Sequence, residues 1–465
     1  MKNIIATLTL ALSLAGSLAA QDNSQFDLNA LHASDVSGMS APSLADINNV
    51  PVGFDDIDTN LAQSQVSNVS ANSLQNVSFA KPANFRASWT VIVYINGKNN
   101  LALAGANDVH EMEQVGSNAF INIVVEHASL KSEGGPFDGS RRILINKKGA
   151  ASSRLLQELP NADMGDWRHL VEFAKWAKKS FPAEKYILVV WNHGSGWQSG
   201  SKYAKPAGSV DKGISYDDAA KNHITMAEHA AALAAIGPLD VYGSDACLMQ
   251  DAAVLQELSP YAKVILGSEE SEPGDGYDYA TFLRRLSRMP GAGPAEAARN
   301  VVQSWKEFYG NGDVTQSAVL TDQVPALASA EGTLANAVVD NSDQRAVIGC
   351  ALSKSVTHFD NYDQLDLGQF SACLAGKSKV LAVQDAARQV VETLRQKLVF
   401  ANTASGKHSG AMGVSAYLPL ADYDTDFDSL KMSKTGWAEM IRSTQKYAQE
   451  MTKKSEEPAP DPEAP

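Results

Sequence analysis

Cysteine is scarce in this chain: Cys247, Cys350 and Cys373 are the only three in 465 residues. So few thiols exclude a small disulfide-stapled scaffold, and without a Cys-x-x-Cys pair there is no signature of structural zinc or dithiol redox chemistry. The His-Glu-x-x-His pattern of helical zinc peptidases is missing too, as is a glycine-rich loop ending in Lys-Ser or Lys-Thr. Basic residues are the minority, 39 against 53 acidic, for a formal net charge of −14. That balance argues against nucleic acid or an anionic membrane as partner and favours basic ones. Long apolar runs are absent beyond the N-terminus, so no later segment reads as a membrane span.

The N-terminus itself carries Lys2, an apolar run from Ile4 to Leu14, and small residues up to Ala19-Ala20. This order reads as a secretory signal peptide over residues 1–20. The run falls well short of the roughly 20 apolar residues a membrane anchor needs, and no Cys follows to take a lipid. The expectation is an exported protein, secreted or periplasmic. In an oxidising compartment three thiols leave at least one unpaired.

Residues 21–87 are rich in Ser, Asn, Asp and Ala without sustained periodicity, which predicts a disordered leader or propeptide. Residues 451–465, acidic and Pro-rich, predict a disordered tail. Between them, short apolar runs stand at 89–95, 120–127, 186–193, 239–245 and 263–270. Strands apolar on both faces belong to a parallel sheet covered by helices. One helix carries Trp167, Leu170, Val171 and Ala174; another opens at Pro294, carries Val301, Val302, Trp305 and Phe308 on one face, and stops at Gly310. The expected fold is α/β, a mostly parallel sheet flanked by helices on both faces. Its core would occupy 88–315, with a C-terminal extension at 316–450 packed on it and a late strand within 412–420.

The stretch "YILVVWNHGSGWQSG" ends a buried strand at His193 and dissolves into glycine. In "LDVYGSDACLMQDAAVLQEL", Leu248, Ala252, Leu255 and Leu258 recur at helical spacing and predict a helix starting at or near Cys247. A helix N-terminus there would favour the thiolate. Sites in open α/β sheets gather beyond the carboxyl ends of the strands, so His193 and Cys247 can meet. Alone, a loop histidine or a buried cysteine is more often structural. Together, at two predicted strand ends, they point to nucleophilic catalysis by a Cys-His dyad. The order His then Cys, 54 residues apart, lies near the roughly 50 of caspases. The other histidines fit less well: His127 ends a strand without a thiol partner, and His223 and His229 are wrongly spaced for one metal-binding helix face.

The segments "WTVIVYINGKNNLA", "LVVWNHGSGW", "GSDACLMQ", "SEESEPGDGYDY" and "FDNYDQLDLGQF" together resemble the clostripain-like cysteine peptidases, of the caspase and gingipain clan. The resemblance covers residues 88–420, leaving out leader and tail. It implies a caspase-like core in which Cys247 is the nucleophile and His193 the acid–base. The backbone N–H groups of Gly194 and Cys247 would stabilise the oxyanion. It also implies protein or peptide substrates cut after Lys or Arg, calcium as a candidate cofactor, and maturation between the His and Cys strands. Asp245, two residues before Cys247, is the expected carboxylate of a basic pocket, unless it caps the following helix. Asp275 is a second candidate, standing where the family often has an aromatic residue. No orienting partner of His193 can be named.

Self-cleavage candidates are Arg86, at the end of the leader, and Lys202 and Lys212, in the Gly/Ser-rich loop after His193. Lys205 precedes Pro206 and is disfavoured. If Cys350 and Cys373 pair, Cys247 is the free thiol. Two other functions share these features: a transpeptidase of the same clan, and a binding protein that kept the fold without catalysis.

Overall fold

The structure, a computed structural model, describes residues 86–148, 153–197 and 213–456. The expected signal peptide, all but the end of the expected leader, Lys202 and Lys212 lie outside the described residues. What is described belongs to a compact unit, Lys81–Pro465.

A nine-stranded sheet runs through this unit. Its strands are β1 (Ala87–Gly97), β2 (Ile121–Ser129), β3 (Gly139–Leu144), β4 (Arg154–Leu159), β5 (Ala183–Trp191), β8 (Leu239–Asp245), β9 (Ala262–Gly267), β10 (Thr315–Leu320) and β12 (Val399–Ala404). Two small hairpin-like pairs stand apart: β6 (Ile214–Asp217) with β7 (Asn222–Ile224), and β11 (Gln364–Asp366) with β13 (Ser415–Tyr417). The sheet order is β12-β10-β9-β8-β5-β1-β2-β3-β4. The five central strands are mutually parallel, and the two at each edge are antiparallel. All five predicted apolar runs are the central strands, the reason being burial on both sides. In β1, Val91, Val93 and Ile95 join one core while Ile92 and Tyr94 join the other.

The face of Val91 is covered by α1 (Ala102–Glu113), the opposite one by α2 (Trp167–Ser180), α3 (Met226–Ile236) and α4 (Ala252–Leu258). Next in the chain, α5 (Tyr279–Arg288) and α6 (Pro294–Tyr309) return to the α1 side. Pro294 begins α6 and Gly310 ends it with φ +58°, as expected, but Phe308 is 47% exposed rather than buried. The C-terminal third is more than an appendage. Its strands β10 and β12 continue the core sheet, and its helices α7 (Val324–Asp340), α8 (Gln344–Ala351), α9 (Leu367–Lys377) and α10 (Leu381–Thr393) share the core with α2 to α4. Cys350 of α8 and Cys373 of α9 form a disulfide, leaving Cys247 free.

Three local expectations need correction. The late strand spans only Ser415–Tyr417, because its partner β11 is equally short. The last helix, α11 (Trp437–Glu456), runs into the segment expected to be a disordered tail. His223 lies in β7 rather than on a helix; His229, on α3, is buried against the Tyr242 hydroxyl at 2.7 Å. Among the described residues, no helix is long and apolar enough to cross a membrane.

Candidate active site

The carboxyl ends of β1, β5 and β8 lie side by side, and Asn192 ties them together. Its N–H donates to Asp245 O at 3.2 Å, and its side-chain Nδ2 donates to Asn96 O at 2.6 Å. Its Oδ1 accepts from Tyr216 N of β6 at 2.6 Å. So anchored, Asn192 holds the next residue, His193, above the sheet edge. Gly194 follows because nothing larger fits: a Cβ there would lie 2.6 Å from Cys247 O. Backbone of the His loop thus runs against backbone of the Cys loop.

The helix expected at Cys247 begins five residues later. Asp251 is its cap, accepting from Ala253 N at 2.8 Å, so α4 starts at Ala252. The intervening turn is irregular. Leu248 has φ +64°, a costly conformation for a side chain with a Cβ. It is held there by a 3.2 Å bond to Glu270 O and by packing against Phe359 and Ala411. Leu248 matched the helical periodicity because it is buried, but in a separate apolar cluster. The Cys247 thiol consequently has no helix dipole behind it. Burial pushes the thiol up from its ordinary value, opposed in part by the Glu272 N–H, which donates to Sγ at 3.3 Å.

His193 lies across the same cleft. Its Nε2 meets Asn100 Oδ1 at 2.8 Å, and burial pulls the imidazole down to about 4. Thiol and imidazole are therefore both neutral near pH 7. The cleft holds about 350 Å³, and its lining includes Leu101, Trp191, His193, Asp245, Cys247 and Ser271 to Gly274.

Asp245 does not cap a helix. It is 3% exposed, and its Oδ2 accepts from the Tyr279 hydroxyl at 2.8 Å and from Tyr277 N at 3.3 Å. Burial raises its carboxyl to about 7. Gly276, with φ +56°, crosses its mouth, where a Cβ would stand 2.8 Å from Asp245 Oδ1. Asp275 is different: it is exposed and does not line the cleft, although Gly274 and Gly276 on either side of it do. Arg86 is exposed, but the bond after it opens directly into β1, whose first residue Ala87 is 2% exposed.

Two residues in this site escaped the sequence reading. Asn100 follows β1 and reaches His193 from 93 positions away. Glu272 follows β9 and meets both Cys247 and Asp245. Both stand inside segments that carried the family resemblance, which was the only signal for them. For calcium, no group of three or more His, Cys, Asp or Glu side chains among the described residues is arranged to hold a metal ion. The calcium expectation finds no fitting donor set there.

A model of the Clostripain family matches residues 93–444. Over 240 residues the chain is 25% identical to clostripain from Hathewaya histolytica, covering 46% of this chain. The match spans 45% of that relative, less than half its length. Among solved structures, an inactive zymogen C11 protease from Parabacteroides distasonis superposes with a TM-score of 0.59 at 18% identity, over 76% of this chain and 99% of the other. A secreted C11 cysteine protease from Bacteroides thetaiotaomicron, in complex with an irreversible peptide inhibitor, gives 0.55 at 19% identity, over 77% and 99%. At these identities the two structures speak for the fold.

Proposed function

The chain belongs to the clostripain family, and from that premise we propose that it is an exported cysteine endopeptidase cutting after Lys or Arg. The observation that carries the reading is that His193, Cys247 and Asp245 all line one cleft. A peptide carbonyl placed over Cys247 is attacked by sulfur as His193 takes the thiol proton. The same proton then goes to the leaving amine, and water resolves the acyl-enzyme with His193 as base. Starting from a neutral thiol and a neutral imidazole, proton transfer accompanies attack. Backbone N–H groups at Gly194 and Cys247 are the candidate oxyanion donors, each worth about 2.7–4 kcal/mol where such donors have been removed.

Asp245 supplies the specificity. A buried carboxyl beside the nucleophile costs stability unless a partner compensates it, and a substrate ammonium or guanidinium is such a partner. Export is supported by the N-terminal pattern and by the Cys350–Cys373 disulfide, which suits an oxidising compartment. Self-processing at Lys202 or Lys212 is favoured over Arg86, given how closely Arg86 abuts β1.

Incubating wild type and Cys247→Ala with a peptide library, with and without an added amine, tests the reading. Hydrolysis after Lys and Arg by wild type alone is expected. Turnover retained in Cys247→Ala ends the peptidase reading, and products joined to the amine establish the transpeptidase instead. N-terminal sequencing of both proteins after incubation tests self-processing: fragments starting at Tyr203 or Gly213 should arise in wild type only.

A further inference from the structure

The pocket beside Cys247 contains a second carboxyl. Glu272 accepts from Gln316 Nε2 at 3.3 Å through Oε1, and its carboxyl hydrogen-bonds the carboxyl of Asp245. Oδ1 of Asp245, buried in the pocket, receives no N–H or hydroxyl donor. What Asp245 meets there is therefore another acid. Two carboxyls in hydrogen-bond contact cannot both ionise, since one must carry the proton that joins them.

Resting on the basic-pocket reading above, we propose that Asp245 and Glu272 are both protonated while the pocket is empty, and that one proton is released when a cationic side chain enters, the other staying shared between the two carboxyls. The balance is simple. Below about pH 7 the empty pair carries both protons and is neutral; with the substrate cation bound it carries −1, and one proton passes to solvent. No covalent bond other than O–H changes.

The surroundings favour this exchange. From α1, Asp108 and Glu111 face the pocket, and Asp108 is itself buried with Oδ2 unpartnered. The loop before α5 contributes Asp275 and the Tyr277 hydroxyl, α5 contributes Tyr279, and α6 contributes Tyr309. Cys247 adds its thiol and β10 the neutral Gln316. The groups acting most strongly on the pair are acidic or neutral, so positive charge has to arrive with the substrate. Burial holds Asp245 at about 7 and Glu272 well above the carboxylate range. The sign follows: below about pH 7 the cation must displace a proton, so its affinity should rise with pH by up to about tenfold per unit.

The test uses full-length Cys247→Ala, which binds without cleaving, and acetylated peptides ending in Lys-amide or norleucine-amide. Calorimetry at pH 6.5 in buffers of different ionisation heat should show release approaching one proton per Lys peptide. Its Kd should fall severalfold to tenfold from pH 6 to pH 7. Adding Glu272→Gln, whose amide can still donate to Asp245, should cut the release sharply and flatten the pH dependence. Tight Lys-peptide binding without proton release in the Cys247→Ala parent overturns the proton exchange while leaving the basic pocket intact. Equal release with and without the added Glu272→Gln assigns the proton elsewhere and also overturns it. Equal binding of the Lys and norleucine peptides sinks the basic pocket itself.

Discussion

Asn100 Oδ1 stands 2.8 Å from His193 Nε2, joining the loop after β1 to the loop after β5. With the amide oxygen accepting, Nε2 carries the hydrogen and Nδ1 is left as the basic nitrogen. Asn100 acts as a positioning residue for the imidazole.

Asn100→Ala should therefore lower kcat by roughly ten- to hundredfold, part of the 10²–10⁴ that a placed acid–base contributes. KM for a Lys substrate should change little, because Asn100 does not line the cleft. Asn100→Asp keeps an acceptor and should recover part of the loss. Steady-state kinetics of the three proteins decide it: a rise in KM with unchanged kcat would assign Asn100 to substrate binding.

The thiol should titrate late. Burial raises Cys247 and lowers His193 to about 4, so neither stabilises the other's charge at rest. Alkylation by iodoacetamide should rise through a single transition above about pH 8.5, the ordinary cysteine value. A rate already on a plateau at pH 6 would reveal a thiolate–imidazolium pair instead.

Alkylation without reduction, followed by mass spectrometry, should label Cys247 and leave Cys350 and Cys373 unlabelled. Breaking the bridge with Cys350→Ala and Cys373→Ala together should cost about 3 kcal/mol, the usual scale for a loop of this length. Denaturant unfolding measures that cost, and label on either bridged cysteine would contradict the pairing.

Asp251 offers a test through stability. Burial lifts its carboxyl to about 7, against about 3.9 for the unfolded chain. Folding takes up a proton between those values, so this group makes the protein less stable as pH rises from about 4 to about 7, with the full penalty remaining above. Asp251→Asn retains an oxygen for Ala253 N and should remove the penalty. The variant should match wild type near pH 4 and melt higher at pH 8. A lower melting temperature at pH 8 would show that the ionised cap is favourable.

The sequence by itself determined the central sheet and the two ends that matter. Strands buried on both faces must be apolar at nearly every position, so the runs around Val91, Ile123, Val189, Val241 and Ile265 were legible without any partner. The stops after Trp191 and Asp245 were legible for the same reason, and with them the placement of His193 and Cys247. Tertiary structure alone decided what surrounds those two residues. Leu248 fitted a helical period because it is buried, yet its burial against Phe359 and Ala411 bends the chain out of a helix. That bend removed the dipole expected to ionise Cys247. Asn100 and Glu272 were invisible for a related reason: each acts through contacts made across the chain, and a lone polar residue in a loop leaves no periodicity. The protonation of thiol, imidazole and pocket carboxyls is set by how much water each has lost, a property of the packed molecule and of no local stretch of sequence.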